Sequence, residues 1–180
     1  MSPRGRINEK NAVVTGGGNG IGKAIAERFA REGASVIIAD LDVSGGEDTL
    51  MTIRKSGGEA TFIKTDVSKA IEVEALINRS LEIYGRLDCA HNNAGIFGPA
   101  NRIHSYPEEE WDHVINVNLK GVWLCMKYEI LHMRHQGSGS IVNTSSTAGL
   151  TAGEGRSAYS ASKHGVIGLT KTVAVEYATR

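Results

Sequence analysis

Apolar residues along the chain follow two alternating rhythms. Short continuous runs, partly β-branched and bounded by Gly, Asn or Asp, lie at about Ala12 to Thr15, Ser35 to Ala39, Ala60 to Lys64, Leu87 to Asn92 and Ser140 to Thr144, and read as buried strands. Between them, helix-period segments cover Ile21 to Arg31, Val43 to Lys55, Ser68 to Tyr84, Pro107 to His135 and Ser157 to Ala178. Ser105 and Glu108, at the entry to the fourth helix, have the spacing of a capping box. Regular alternation of such strands with helices predicts an α/β fold, a parallel sheet covered by helices on both faces. No repeat, low-complexity tract or Pro- or Ser-rich linker divides residues 1–180, which read as one domain.

Composition narrows the function classes. The 180 residues carry no formal net charge and are 41% hydrophobic, which suits a soluble domain with a real core. Without clustered Lys and Arg, a nucleic-acid partner is not expected. Met1 to Arg6 run into a polar stretch with neither a leader-like nor a membrane-spanning apolar segment, so the expected setting is cytoplasmic, with no membrane partner. Cys89 and Cys125 lack Cys-x-x-Cys spacing and read as small buried hydrophobes in a reducing compartment. The sequon matches at Asn78 and Asn143 are then chance. His132 and His135 share a helix without further ligands at metal-site spacing, so no metal is expected.

The chemistry gathers at the ends of the predicted strands, where ligands of open parallel sheets bind. Gly16, Asn19, Gly20, Ile21 and Gly22 join the first strand to the first helix. A glycine turn there lets backbone N–H groups and a helix N-terminus approach a pyrophosphate. Asp40 ends the second strand, 18 residues beyond Gly22, where a carboxylate accepts both ribose hydroxyls of NAD and repels the 2′-phosphate of NADP. Neither Gly17 nor the adjacent Leu41 offers a basic group for that phosphate. Asp66 and Val67 follow the third strand, placed for an adenine edge. Asn92, Asn93, Ala94 and Gly95 follow the fourth, placed to brace a cofactor or tie strands together.

Tyr159 and Lys163 stand four residues apart on the last predicted helix, hence on one face. Free tyrosine ionises near ~10, and a cation ~4 Å away at an effective dielectric of ~20 favours the phenolate by about 4 kcal/mol. The pair therefore reads as an acid/base site.

These residues, taken together, resemble the short-chain dehydrogenase/reductase family. The matching elements, in order, are Thr15-Gly16-x-x-x-Gly20-Ile21-Gly22, Asp66-Val67, Asn92-Asn93-Ala94-Gly95, Asn118, Ser145-Ser146 and Tyr159-x-x-x-Lys163, over nearly the whole chain. The resemblance implies a Rossmann-type three-layer fold and NAD-dependent interconversion of a secondary alcohol and a ketone. Tyr159 would exchange a proton with the substrate oxygen, and Lys163 would depress the Tyr159 pKa and hold the nicotinamide ribose. Ser146, 13 positions before Tyr159, would polarise the carbonyl in preference to Ser145, and Asn118 would hold a water linking Lys163 to solvent.

Family members continue well past the point where this chain ends, 17 residues after Lys163. The last strands of the family sheet, the segment that contacts the nicotinamide carboxamide and the substrate-closing loop are therefore expected to be missing. An alternative reading is a catalytically inactive nucleotide-binding or oligomerising module that keeps the site by descent. Val166, Ile167, Leu169, Val173 and Tyr177 give the last helix a broad apolar surface suited to a homo-oligomer in the full-length form. Thr147 to Ala158 and Ile96 to His104 border the substrate side without selecting among a hydroxysteroid, a sugar, a cyclic alcohol and a β-ketoacyl thioester.

Overall fold

In a computed structural model, which describes residues 5–178, five strands form one fully parallel sheet: β1 (Asn11–Thr15), β2 (Ser35–Asp40), β3 (Glu59–Lys64), β4 (Cys89–Asn92) and β5 (Ser140–Asn143). The leader-free reading of Met1 to Arg4 lies outside the described residues. Strand order is β3-β2-β1-β4-β5. Between them run α1 (Gly20–Arg31), α2 (Val43–Lys55), α3 (Ala70–Tyr84), α4 (Glu108–Ile115) and α5 (Gly121–Gln136), and α6 (Ser157–Tyr177) follows β5. The order reverses between β1 and β4, which opens a crevice at their carboxyl ends.

Period-two alternation along the strands builds two cores. Ala12, Val14, Val36 and Ile38 face one way and pack on Ala26 of α1 and Leu50 and Ile53 of α2. Val13, Ile37 and Ala39 face the other way and pack on Leu76 and Ile77 of α3 and Met133 of α5. This is the doubly wound, three-layer arrangement expected from the strands, which are apolar on both faces.

Four local expectations are corrected. The fourth helix begins at Glu108, with Pro107 at its cap. The Ser105 hydroxyl donates instead to the Arg102 carbonyl (3.2 Å) inside the 3₁₀ turn Ile103–Ser105, so no capping box forms. The helix is also not uniform to His135, because Asn116–Lys120 form a π-helical turn between α4 and α5. The third helix starts at Ala70 rather than Ser68, because the Asp66 carboxylate accepts from the backbone N–H and the hydroxyl of Ser68 and holds a turn there. Cys89 is only half buried, whereas Cys125 is buried.

A buried polar stitch ties β4 to β5 through Asn92, as the sequence suggests, and extends to the helices through Glu129 and Thr170. The Asn92 amide donates to Glu129 Oε2 (3.1 Å) on α5 and to Asn143 Oδ1 (3.0 Å) on β5, and Asn143 donates to Thr170 Oγ1 (2.9 Å) on α6. Glu129 is fully buried, and desolvation pushes its carboxyl up to about 7.

Candidate active site

The turn after β1 requires its glycines. Gly16 has φ +64°, and a Cβ on Gly22 would stand 1.9 Å from the Gly16 carbonyl oxygen, which the backbone cannot relieve by a side-chain shift. Gly22→Ala is therefore expected to destabilise the chain by about 1–3 kcal/mol, read as a lower urea midpoint at unchanged slope. Gly20 and Ile21 form the first turn of α1, with Ile21 exposed and open space around Gly20. The Asn19 side chain makes no capping bond, so the first-turn N–H groups of α1 stay available to a ligand.

Asp40 does more than end β2. One carboxylate oxygen accepts from the Gly18 N–H (2.8 Å) and the other from the Asp42 N–H (2.9 Å), which fixes the glycine turn against β2 while each oxygen keeps a lone pair. At the crevice, Thr15 Oγ1 accepts from the Asn93 and Ala94 N–H groups (3.1 and 3.2 Å), and the Asn93 amide donates to the carbonyls of Thr15 and Gly16 (3.2 and 3.1 Å). Asn93 thus ties β4 to the glycine turn.

Gly16, Asn19, Asp40, Leu41, Asp66, Val67, Asn93, Ala94 and Gly95 line one cleft of about 310 Å³ at the carboxyl end of the sheet. Thr65, Ile96, His113 and Val117 complete it. Thr65, Ile96 and Val117 flank residues the sequence displays, whereas His113 comes from α4, whose pattern carries no such signal. Free first-turn N–H groups beside a carboxylate form a donor and acceptor set suited to an anion with a neighbouring diol. The residues thus fit a dinucleotide.

Lys163 is 3% exposed, its ammonium donates to the Thr144 carbonyl (2.8 Å), and burial pushes its pKa below the ordinary lysine value. Its nitrogen lies 5.8 Å from the centre of the Tyr159 ring. Thr144, which the sequence reading passed over, is anchored in turn by its N–H to the Asn92 carbonyl (2.9 Å) and by its hydroxyl to His91 Nε2 (2.9 Å).

The two serines have different work. Ser145 donates its hydroxyl to the Lys163 carbonyl (2.9 Å). Ser146 accepts from the Ala148 N–H (3.2 Å), which leaves its own hydrogen free to donate. Asn118, fully buried in the π-helical turn, accepts from the Ile96 N–H and donates to the Ile96 carbonyl (both 2.8 Å), and also donates to Ser162 Oγ (3.2 Å). Both of its amide hydrogens are thus committed within the chain. A Cβ built on Gly95 would be 3.3 Å from Asn118 Oδ1 and 3.4 Å from Lys163 Nζ, so the cleft and the Lys163 end adjoin.

Phe97 is a further residue the sequence reading did not single out. Its ring stacks on Tyr159 with centroids 4.6 Å apart and planes at 28°. Among the described residues no cluster of His, Cys, Asp and Glu could hold a metal ion, and no helix is long and apolar enough to cross a membrane.

The family profile described as short chain dehydrogenase matches residues 10–180. An uncharacterised oxidoreductase of Bacillus subtilis is 44% identical over 174 residues, covering 97% of this chain and 63% of its own length. Levodione reductase of Leifsonia aquatica is 40% identical over 98% of this chain and 67% of its own, and a crystal structure of levodione reductase superposes with a TM-score of 0.94 at 39% identity, over 96% of this chain and 68% of that one. A Burkholderia phymatum short chain dehydrogenase/reductase solved in complex with NAD gives a TM-score of 0.92 at 35% identity, over 94% of this chain and 60% of that one. The chain therefore spans about two thirds of the length of these relatives.

Proposed function

The chain belongs to the short chain dehydrogenase family, and from that membership we propose that it carries the NAD site and the acid/base residues of an oxidoreductase interconverting a secondary alcohol and a ketone. The observation that carries this reading is the buried Lys163 ammonium, held by Thr144 beside the Tyr159 ring and adjoining, at Gly95, the cleft lined by Gly16 and Asp40. NAD, when bound, supplies the acceptor for the hydride lost from the carbinol carbon. The first turn of α1 and Gly16 would hold its pyrophosphate, Asp40 a ribose, and Lys163 the other ribose.

The remaining work falls to this chain's own side chains. Tyr159 Oη takes the hydroxyl proton of the alcohol, or returns it to the ketone oxygen in the reverse direction. Ser146 donates its free hydrogen to the same oxygen and orients it. Lys163 places a positive charge beside the Tyr159 ring, and Ser145 with Thr144 fixes where Lys163 stands. Cofactor and catalytic residues thus sit on one domain. The proposal includes a cytoplasmic setting and a homo-oligomer; of the apolar face expected on α6, Val166 is instead buried on Val122 and Met126 with Leu169 and Val173 packed against them, and the apolar side chains left exposed on α5 and α6 are Trp123, Leu131 and Val175.

The cofactor choice is tested by titrating NADH and NADPH into the chain and into Asp40→Ala. The wild-type chain binds NADH at least tenfold more tightly, because the Asp40 carboxylate repels a 2′-phosphate. In Asp40→Ala that ratio falls toward unity. An unchanged ratio would show that Asp40 serves only its bonds to Gly18 and Asp42.

A further inference from the structure

Phe97 is presented to Tyr159 by a loop pinned on both sides. Before it, Asn118 clamps both the N–H and the carbonyl of Ile96. After it, Gly98 has φ +68°, with its backbone so close to α4 and Tyr106 that a Cβ would stand 2.5 Å from a Val114 methyl and 2.7 Å from the Tyr106 hydroxyl. Backbone held this tightly fixes where the next side chain points. The Arg156 guanidinium adds a third member, 5.3 Å from the centre of the Phe97 ring. Yet Phe97 remains 62% exposed, so much of a rigidly placed aromatic ring is open beside the phenol that must meet substrate.

From this arrangement we infer that Phe97 determines substrate choice, its exposed ring forming the apolar wall beside the Tyr159 hydroxyl and selecting alicyclic secondary alcohols over open-chain ones. The inference rests on the reading of Tyr159 as the group that meets the substrate oxygen. A six-membered ring offers a stiff face of C–H groups to an aromatic wall. An open chain of equal carbon count must freeze its bonds to make the same contact, at a cost of about two- to tenfold in affinity. The ring contact itself is worth about two- to tenfold. In the loops around it Arg102 and Glu154 pair with each other, and Ile103 and Leu150 are the other large apolar side chains left exposed.

The test measures dissociation constants of cyclohexanol and 2-hexanol by saturation-transfer NMR on the full chain with saturating NADH, which permits binding without turnover. Wild type should prefer cyclohexanol about tenfold. Phe97→Ala should erase most of that preference at unchanged NADH affinity, and Phe97→Tyr should restore it. Equal preference in wild type and Phe97→Ala, no preference in wild type, or NADH binding with neither alcohol bound would each overturn the inference and leave the cofactor site standing. Failure to bind NADH at all would overturn the dehydrogenase reading and this inference with it.

Discussion

Replacing Tyr159 with phenylalanine is expected to lower alcohol oxidation by about 10²–10⁴-fold, the usual contribution of a positioned acid/base group. The substitution removes one oxygen and keeps the ring that stacks on Phe97, so the local packing and the affinity for NADH should change little. The loss then falls on kcat rather than on cofactor binding. Oxidation needs a group at this position to take the hydroxyl proton, which Tyr159→Phe lacks. Steady-state rates, beside an NADH titration of both proteins, separate a proton-transfer role from a structural one. A variant that loses NADH affinity and activity together would place Tyr159 in the scaffold instead.

The second large effect concerns stability. Glu129 lies wholly inside, with one carboxylate oxygen bonded to the Asn92 amide and the other without a donor among the described protein atoms. Desolvation raises its pKa to about 7, whereas an unfolded chain ionises it at ~4.3. Between these values the native chain keeps a proton that the unfolded chain has released. Its contribution to stability is therefore fully present below the unfolded value and is lost as pH rises toward the folded one. The difference amounts to about 3 kcal/mol between pH 4 and pH 8. Glu129→Gln keeps an acceptor for Asn92 and carries no charge, so it should gain most of that at pH 8 and little at pH 5. Urea unfolding of both proteins at the two pH values reads the difference directly. Equal midpoint shifts at both pH values would show that Glu129 is not the titrating group.

Much of this arrangement was legible in the sequence because periodicity and glycine placement carry it. Apolar runs flanked by Gly, Asn and Asp located all five strands within about two residues, the accuracy expected for element ends. Motifs at those strand ends located Gly16, Asn19, Asp40, Asp66 and Asn93, which the fold gathers into one cleft. What escaped was long-range in the chain. Thr144 matters through its carbonyl, which no side-chain pattern advertises, and the buried Glu129 is met by Asn92 of a distant strand. The π-helical turn at Asn118 exists together with two bonds to Ile96, 22 residues away, and helix periodicity cannot register them. The capping box failed because Ser105 had a nearer acceptor in Arg102. Choosing between Ser145 and Ser146 by spacing alone left the reason open. The structure supplies one, since the Ser145 hydrogen is already given to Lys163.

The most direct test of the account follows the hydride. The chain, in excess over NAD, is incubated with secondary alcohols carrying deuterium on the carbinol carbon, and the cofactor is recovered and weighed by mass spectrometry. The account predicts reduced cofactor bearing the deuterium with wild type, and oxidised cofactor with Tyr159→Phe under the same conditions. NAD that binds the wild-type chain tightly yet stays oxidised and unlabelled across the alcohols would contradict it, and would leave this chain a nucleotide-binding module rather than a dehydrogenase.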